Sequence, residues 1–107
     1  MPTNITTYVN KMPQSLASFN SENIANSFSV AANNTLTTSQ WISWHKDRPL
    51  MLFTSKGVCH VWDKDWKVYG WWEGSSSEII FLDGGGQGVG GDIKVTIDSQ
   101  GDVSMAK

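Results

Sequence analysis

All six tryptophans of the chain fall between Trp41 and Trp72. An indole offers a flat apolar face and a single N–H donor. An exposed one is suited to stacking on a sugar ring, lying at a lipid interface or anchoring a partner protein. A small core needs only some of these rings. Trp71 and Trp72 are adjacent, and on a regular strand neighbouring side chains point to opposite faces. At least one of the pair is therefore expected at a surface or cleft, Trp72 more than the others, whereas Trp44 is read as the most core-like. The competing reading makes the whole set core, or the plug of a small barrel.

Polar groups that could orient a hydroxylated ligand accompany the rings. His45 and Asp47 follow Trp44, Asp63 and Asp65 flank Lys64 after Trp62, and Glu73 follows Trp72. A carboxylate that accepts from two hydroxyls beside an aromatic plane is a way to hold a sugar. The expected ligand-binding set is Trp62, Asp63, Asp65, Trp66, Trp71, Trp72, Glu73 and His45. Taken singly, each acid among them is equally an ordinary charge on a solvated hairpin.

Residues 84–91 read Gly-Gly-Gly-Gln-Gly-Val-Gly-Gly. Such backbone can adopt positive φ and approach a ligand closely. It lacks the Gly-Lys-Ser/Thr ending of a phosphate loop, and a strand pattern rather than a helix follows it, which excludes a dinucleotide fingerprint. A strand-linking loop, or one lying over a site, is expected.

Catalytic constellations are weak. Cys59 and His60 are neighbours, so on a strand they face apart and cannot act as nucleophile and base together. His45, Cys59 and His60 lack a zinc-ligand spacing, and Cys59 is read as a small buried apolar residue. No enzyme activity, metal or cofactor is expected.

Composition narrows the remaining classes. The net charge is −2, and no stretch concentrates Lys and Arg; nucleic acid, which demands a basic footprint, is not an expected partner. No apolar run is long enough to span a membrane as a helix. The first residues lack the basic and apolar regions of a signal peptide, so the chain is expected in the cytoplasm or released without a classical signal. With one cysteine, no internal disulfide forms. Charged residues make up 17% of the chain, below the roughly 25% of an average domain. Ser, Thr, Asn and Gly fill the difference, which suits sheets with polar, uncharged outer faces.

The elements that must position these residues are short strands. Lys11 and Glu22 are the only charged residues before position 41. That Ser/Thr/Asn-rich part (1–40) is too poor in apolar residues to fold alone, and is expected to complete the sheets of a single 1–107 domain with one or two strands or a short helix. Between Leu16 and Phe28 the spacing fits a helix face, while Phe28, Val30 and Ala32 alternate as in a strand. Alternation over Trp41–His45, an apolar run over Leu50–Phe53, a turn at Lys56-Gly57 and alternation over Val58–Trp62 predict strands and a hairpin. Further strands are expected over Trp66–Trp72, Glu78–Leu82, Ile93–Ile97 and Val103–Met105, with turns at residues 63–65 and 99–102.

Short turns join antiparallel strands, whereas parallel neighbours need long crossovers. The fold class expected is therefore all-β, a small antiparallel β-sandwich or β-barrel with one short N-terminal helix as an option. On that scaffold the leading expectation is a lectin that binds a glycan through its tryptophans. The alternatives are a membrane-lipid-binding or pore-forming-type protein with an interfacial belt of Trp66, Tyr69, Trp71 and Trp72, and a protein-binding inhibitor or assembly module that offers the Gly-rich loop. A homo-oligomer is expected because linked sites raise apparent affinity.

Overall fold

Alternation of buried and exposed side chains dictates the architecture. In Ile93–Ile97 every second residue is buried, and in Leu16–Asn20 the same period holds although two of the three inward residues are Ser18 and Asn20. A computed structural model describes residues 3–86 and 89–107, and places ten strands among them. These are β1 (Asn4–Asn10), β2 (Leu16–Asn20), β3 (Ser29–Val30), β4 (Thr35–Trp41), β5 (Leu50–Thr54), β6 (Gly57–Lys64), β7 (Lys67–Trp72), β8 (Ile79–Asp83), β9 (Ile93–Ile97) and β10 (Val103–Ala106).

The strands form two sheets, one of order β10-β9-β1-β4 and one of order β3-β2-β5-β6-β7-β8. Their inner faces enclose a core that includes Ile5 and Tyr8 of β1, Leu52 of β5, Val61 of β6 and Val95 of β9. The all-β sandwich expected from the sequence is the observed class. One pairing departs from the antiparallel pattern: β1 runs parallel to β9, with Tyr8 opposite Val95. No local crossover is needed, because the chain between the two strands builds the entire second sheet.

The N-terminal part contributes more strand than expected. It supplies β1, β2, β3 and nearly all of β4, and its one helical element is a single 3-10 turn, Ile24–Asn26, capped by the Asn23 side chain accepting from the Ala25 N–H. Ile24 is exposed, so a longer helix there would have no apolar face to bury. The strand expected over Trp41–His45 ends at Trp41. Beyond it the Ile42 N–H donates to the Thr3 carbonyl, and the chain leaves the sheet as a loop, residues 42–49.

The Gly-rich segment carries the chain from β8 in one sheet to β9 in the other. Val89 is buried, and the Gly90 carbonyl accepts from the Asn4 N–H, so this end is fastened to the core; Gln87 and Gly88 lie outside the described residues. The strand-linking expectation for residues 84–91 thus holds for their described part.

On β8, Phe81 is an extra residue in the ladder: Val68 pairs with Leu82 and Tyr69 with Ile80. This bulge lays the Phe81 ring over Gly70, where an added Cβ would fall 2.1 Å from the ring. Gly70 is therefore set by close approach. Gly70→Ala is expected to destabilise the chain by roughly 1–3 kcal/mol through overpacking. Adding Phe81→Ala is expected to recover part of that loss. Urea unfolding of the two single variants and the double variant reads this coupling, and strictly additive losses would refute it.

Candidate functional site

The tip of the β6–β7 hairpin is built against its own backbone preference. Lys64 pairs with Lys67, leaving Asp65 and Trp66 as a two-residue turn with φ of 51° and 68°. Positive φ at both central residues defines a type I′ turn, for which Asn-Gly is the preferred pair. A tryptophan in that left-handed region costs about 1–2 kcal/mol relative to an unstrained conformation. The turn is held by the Gly84 N–H, which donates to the Trp66 carbonyl at 2.7 Å. Trp66 remains 48% exposed.

Opposite the tip stands the 42–49 loop. The Asp63 N–H donates to the Ser43 carbonyl at 2.8 Å, and the Ser43 hydroxyl accepts from the His45 N–H. These bonds bury Ile42 and Ser43 and turn Trp44 outward, 60% exposed. From the other side, Thr3 Oγ1 donates to Asp63 Oδ2 at 2.6 Å. The Asp63 carboxyl is buried, and burial raises its pKa above the ordinary carboxylate value, with the Thr3 hydrogen bond opposing in part.

Between loop and hairpin lies a hollow of about 360 Å³, lined by Trp44, Asp63, Lys64, Asp65 and Trp66. A second, more open hollow of about 570 Å³ shares Trp44 and Lys64 with the first and is bordered also by His45, Lys46 and Asp47. Both fall within the roughly 300–1,000 Å³ typical of small-ligand sites.

The structure thus gathers Asp63, Asp65, Trp66 and His45 of the expected set around Trp44, and places the other four elsewhere. Trp62 is 1% exposed. Its ring stacks on Tyr69 at 5.9 Å with 9° between planes, and Lys46 Nζ lies 5.6 Å from the ring centre. Trp62 therefore supports the site from beneath and offers no face to a ligand. Trp71 meets His60 edge-on at 5.0 Å, and its indole N–H donates to the Ser75 carbonyl. Glu73 Oε1 lies 2.8 Å from His60 Nε2. These three occupy the outer face of the six-stranded sheet, away from the hollows.

Trp71 and Trp72 do face opposite ways, but Trp72 takes the inner side. It packs against the core with Lys56 Nζ 4.6 Å from its ring. The ranking of Trp44 as the most core-like ring is likewise reversed, because that ranking placed it on a strand. The run Lys46-Asp47-Arg48-Pro49 was the signal for a loop. Lys64 borders both hollows without a sequence signal, because an isolated lysine in a turn carries no motif.

Cys59 is buried between the sheets, and burial pushes its thiol up to about 12. His60 lies on the opposite face, paired with Met51. Among the described residues no three His, Cys, Asp or Glu side chains converge as a metal-ligand set, and no helix is long and apolar enough to cross a membrane.

No protein-family model, curated protein or solved structure matches the chain, so the site stands on its own geometry.

Two outcomes follow from the strained turn and the buried acid. Trp66→Gly relieves the left-handed strain, offset partly by the flexibility of glycine in the unfolded chain. The variant is expected to be more stable by up to about 1 kcal/mol, a rise of a few degrees in Tm; a fall in Tm would show that the indole contributes packing instead. Because the folded chain holds the Asp63 proton more tightly than the unfolded chain, stability linked to this group is full at low pH and is lost as pH rises through the raised value. Asp63→Asn removes the titration. Its urea midpoint is expected to gain on the parent's between about pH 4 and about pH 7, and a constant difference would contradict the assignment.

Proposed function

We propose that the chain is a glycan-binding protein of lectin type, with a sugar ring seated between Trp44 and Trp66. The observation that carries this reading is the pairing of two half-exposed indoles on one hollow, one of them kept in a left-handed turn at a cost to stability. Strained backbone persists where surrounding structure over-determines it, and it concentrates at ligand sites. Indole faces suit the C–H side of a sugar ring. Asp65 accepts from hydroxyls, Lys64 donates to them, and binding needs no deprotonated nucleophile.

The arrangement favours this over a membrane-binding reading. The four aromatic residues of a belt are divided: Trp72 packs inward, Trp71 and Tyr69 share the outer face of the six-stranded sheet, and Trp66 sits at the hairpin tip. A belt needs its rings at one level, whereas a hollow between two rings selects a discrete ligand. Two copies of such a site on a homo-oligomer would add avidity.

The test is a glycan array probed with the parent, Trp44→Ala and Trp71→Ala. Saturable binding that Trp44→Ala weakens roughly tenfold or more, equivalent to about 1.4 kcal/mol, with Trp71→Ala unaffected and all three unfolding cooperatively, is the expected result. Binding lost in Trp71→Ala but not in Trp44→Ala would move the site to the sheet face. An array blank for the folded parent would end the glycan reading.

A further inference from the structure

Trp44 and Lys64 border both hollows, and the charged residues around the two differ. The first hollow is bordered by two acids, Asp63 and Asp65, and one cation, Lys64. The second is bordered by Lys46, Lys64 and His45, with Asp47 as its one acid. Lys64 stands at the boundary of both.

Lys64 stands between Asp63 and Asp65 in sequence and faces a like charge across the hairpin. It lies directly opposite Lys67 across the β6–β7 ladder, and like charges in that relation destabilise a sheet. Lys67 in turn faces Asp83 on β8 in register. The ion pairs among the described residues are Lys46 with Glu78 and Lys56 with Asp102, beside a close His60–Glu73 contact, and none of them engages Lys64. Lys46 is fixed by Glu78 and by the Trp62 ring beneath it. Lys46 thus already has an acid beside it, whereas Lys64, with Lys67 opposite, belongs to no ion pair among the described residues.

We propose that the ligand is an acidic oligosaccharide, whose neutral ring lies between Trp44 and Trp66 and whose adjoining sugar places a carboxylate or sulfate against Lys64 and Lys46 in the second hollow. This rests on the glycan-binding reading and specifies its substrate class. The anion supplies the charge partner that Lys64 lacks and offsets its repulsion from Lys67. Asp47 accepts from hydroxyls of the same acidic sugar, and the acids of the first hollow keep the anionic group out of that subsite.

The experiment is titration calorimetry on the full chain with neutral oligosaccharides and the same backbones carrying a uronic or sialic acid, or a sulfate ester. Acidic forms are expected to bind about tenfold tighter than neutral ones, a ratio that shrinks as salt screens the charges. Comparison of the carboxylated and sulfated arms identifies the anion. In Lys64→Gln the ratio is expected to fall to about one, while the unliganded variant unfolds at a higher temperature than the parent because the Lys64–Lys67 repulsion is gone. Lys64→Arg is expected to keep the preference. Equal affinity of the parent for neutral and acidic forms would overturn this inference and leave the lectin reading standing. Preference retained in Lys64→Gln would also overturn it, and absence of binding to every glycan would remove both.

Discussion

Asp63, through its side chain and its backbone amide together, is the fastening on which the site depends. It is buried at the far end of β6, receives the Thr3 hydroxyl at 2.6 Å, and its own N–H reaches back to the Ser43 carbonyl. Three segments distant in sequence are tied at one residue: the start of β1, the loop after β4 and the hairpin of β6 and β7. Removing a carboxyl from water is costly, and this cost is tolerated because the group makes hydrogen bonds that no apolar residue could. Without that tie Trp44 would ride on an unanchored loop, and the hollow between it and Trp66 would have one fixed wall.

The six tryptophans divide into distinct structural roles. Trp62 and Trp72 are half or wholly covered, and each carries a lysine over its ring, Lys46 in one case and Lys56 in the other. A cation over an indole is attracted by the ring's quadrupole, and the lysine stem covers apolar area that would otherwise meet water. Trp71 lies on the outer sheet face with its N–H satisfied by Ser75. Trp41, Trp44 and Trp66 are left exposed, and of these only Trp44 and Trp66 share a concavity.

The strands from β5 to β10 are legible because apolar runs or period-two alternation are bounded there by turn residues: in β9 Ile93, Val95 and Ile97 are buried, and Gly101 takes the positive φ its turn needs. β2 is not, because Ser18 and Asn20 point inward and satisfy themselves against Phe28 and the 21–23 turn, which hides the period from any count of apolar residues. The pairing of β1 with β9 was hidden for a different reason, since register between strands so far apart leaves no local trace. Asp63, Asp65, Trp66 and His45, close in sequence to Trp44 or to one another, are brought around Trp44 by the fold. Trp62, Trp71, Trp72 and Glu73 lie away from the hollows; side-chain direction on β6 and β7 depends on which face the second sheet covers, and the sequence marks both faces with aromatic residues.

The parallel β1–β9 ladder also sets the order in which the molecule can be completed. β1 is an interior strand of its sheet, with β4 on one side and β9 on the other. During synthesis the β4 side can be filled early, but the other edge stays open until residues 93–97 emerge, after the six-stranded sheet has had time to form. An unpaired interior edge is a template for wrong partners, and closing so long a loop is slow. β9, made after the six-stranded sheet, is therefore what seals β1, and the nascent chain is most vulnerable to misassembly before residues 93–97 emerge.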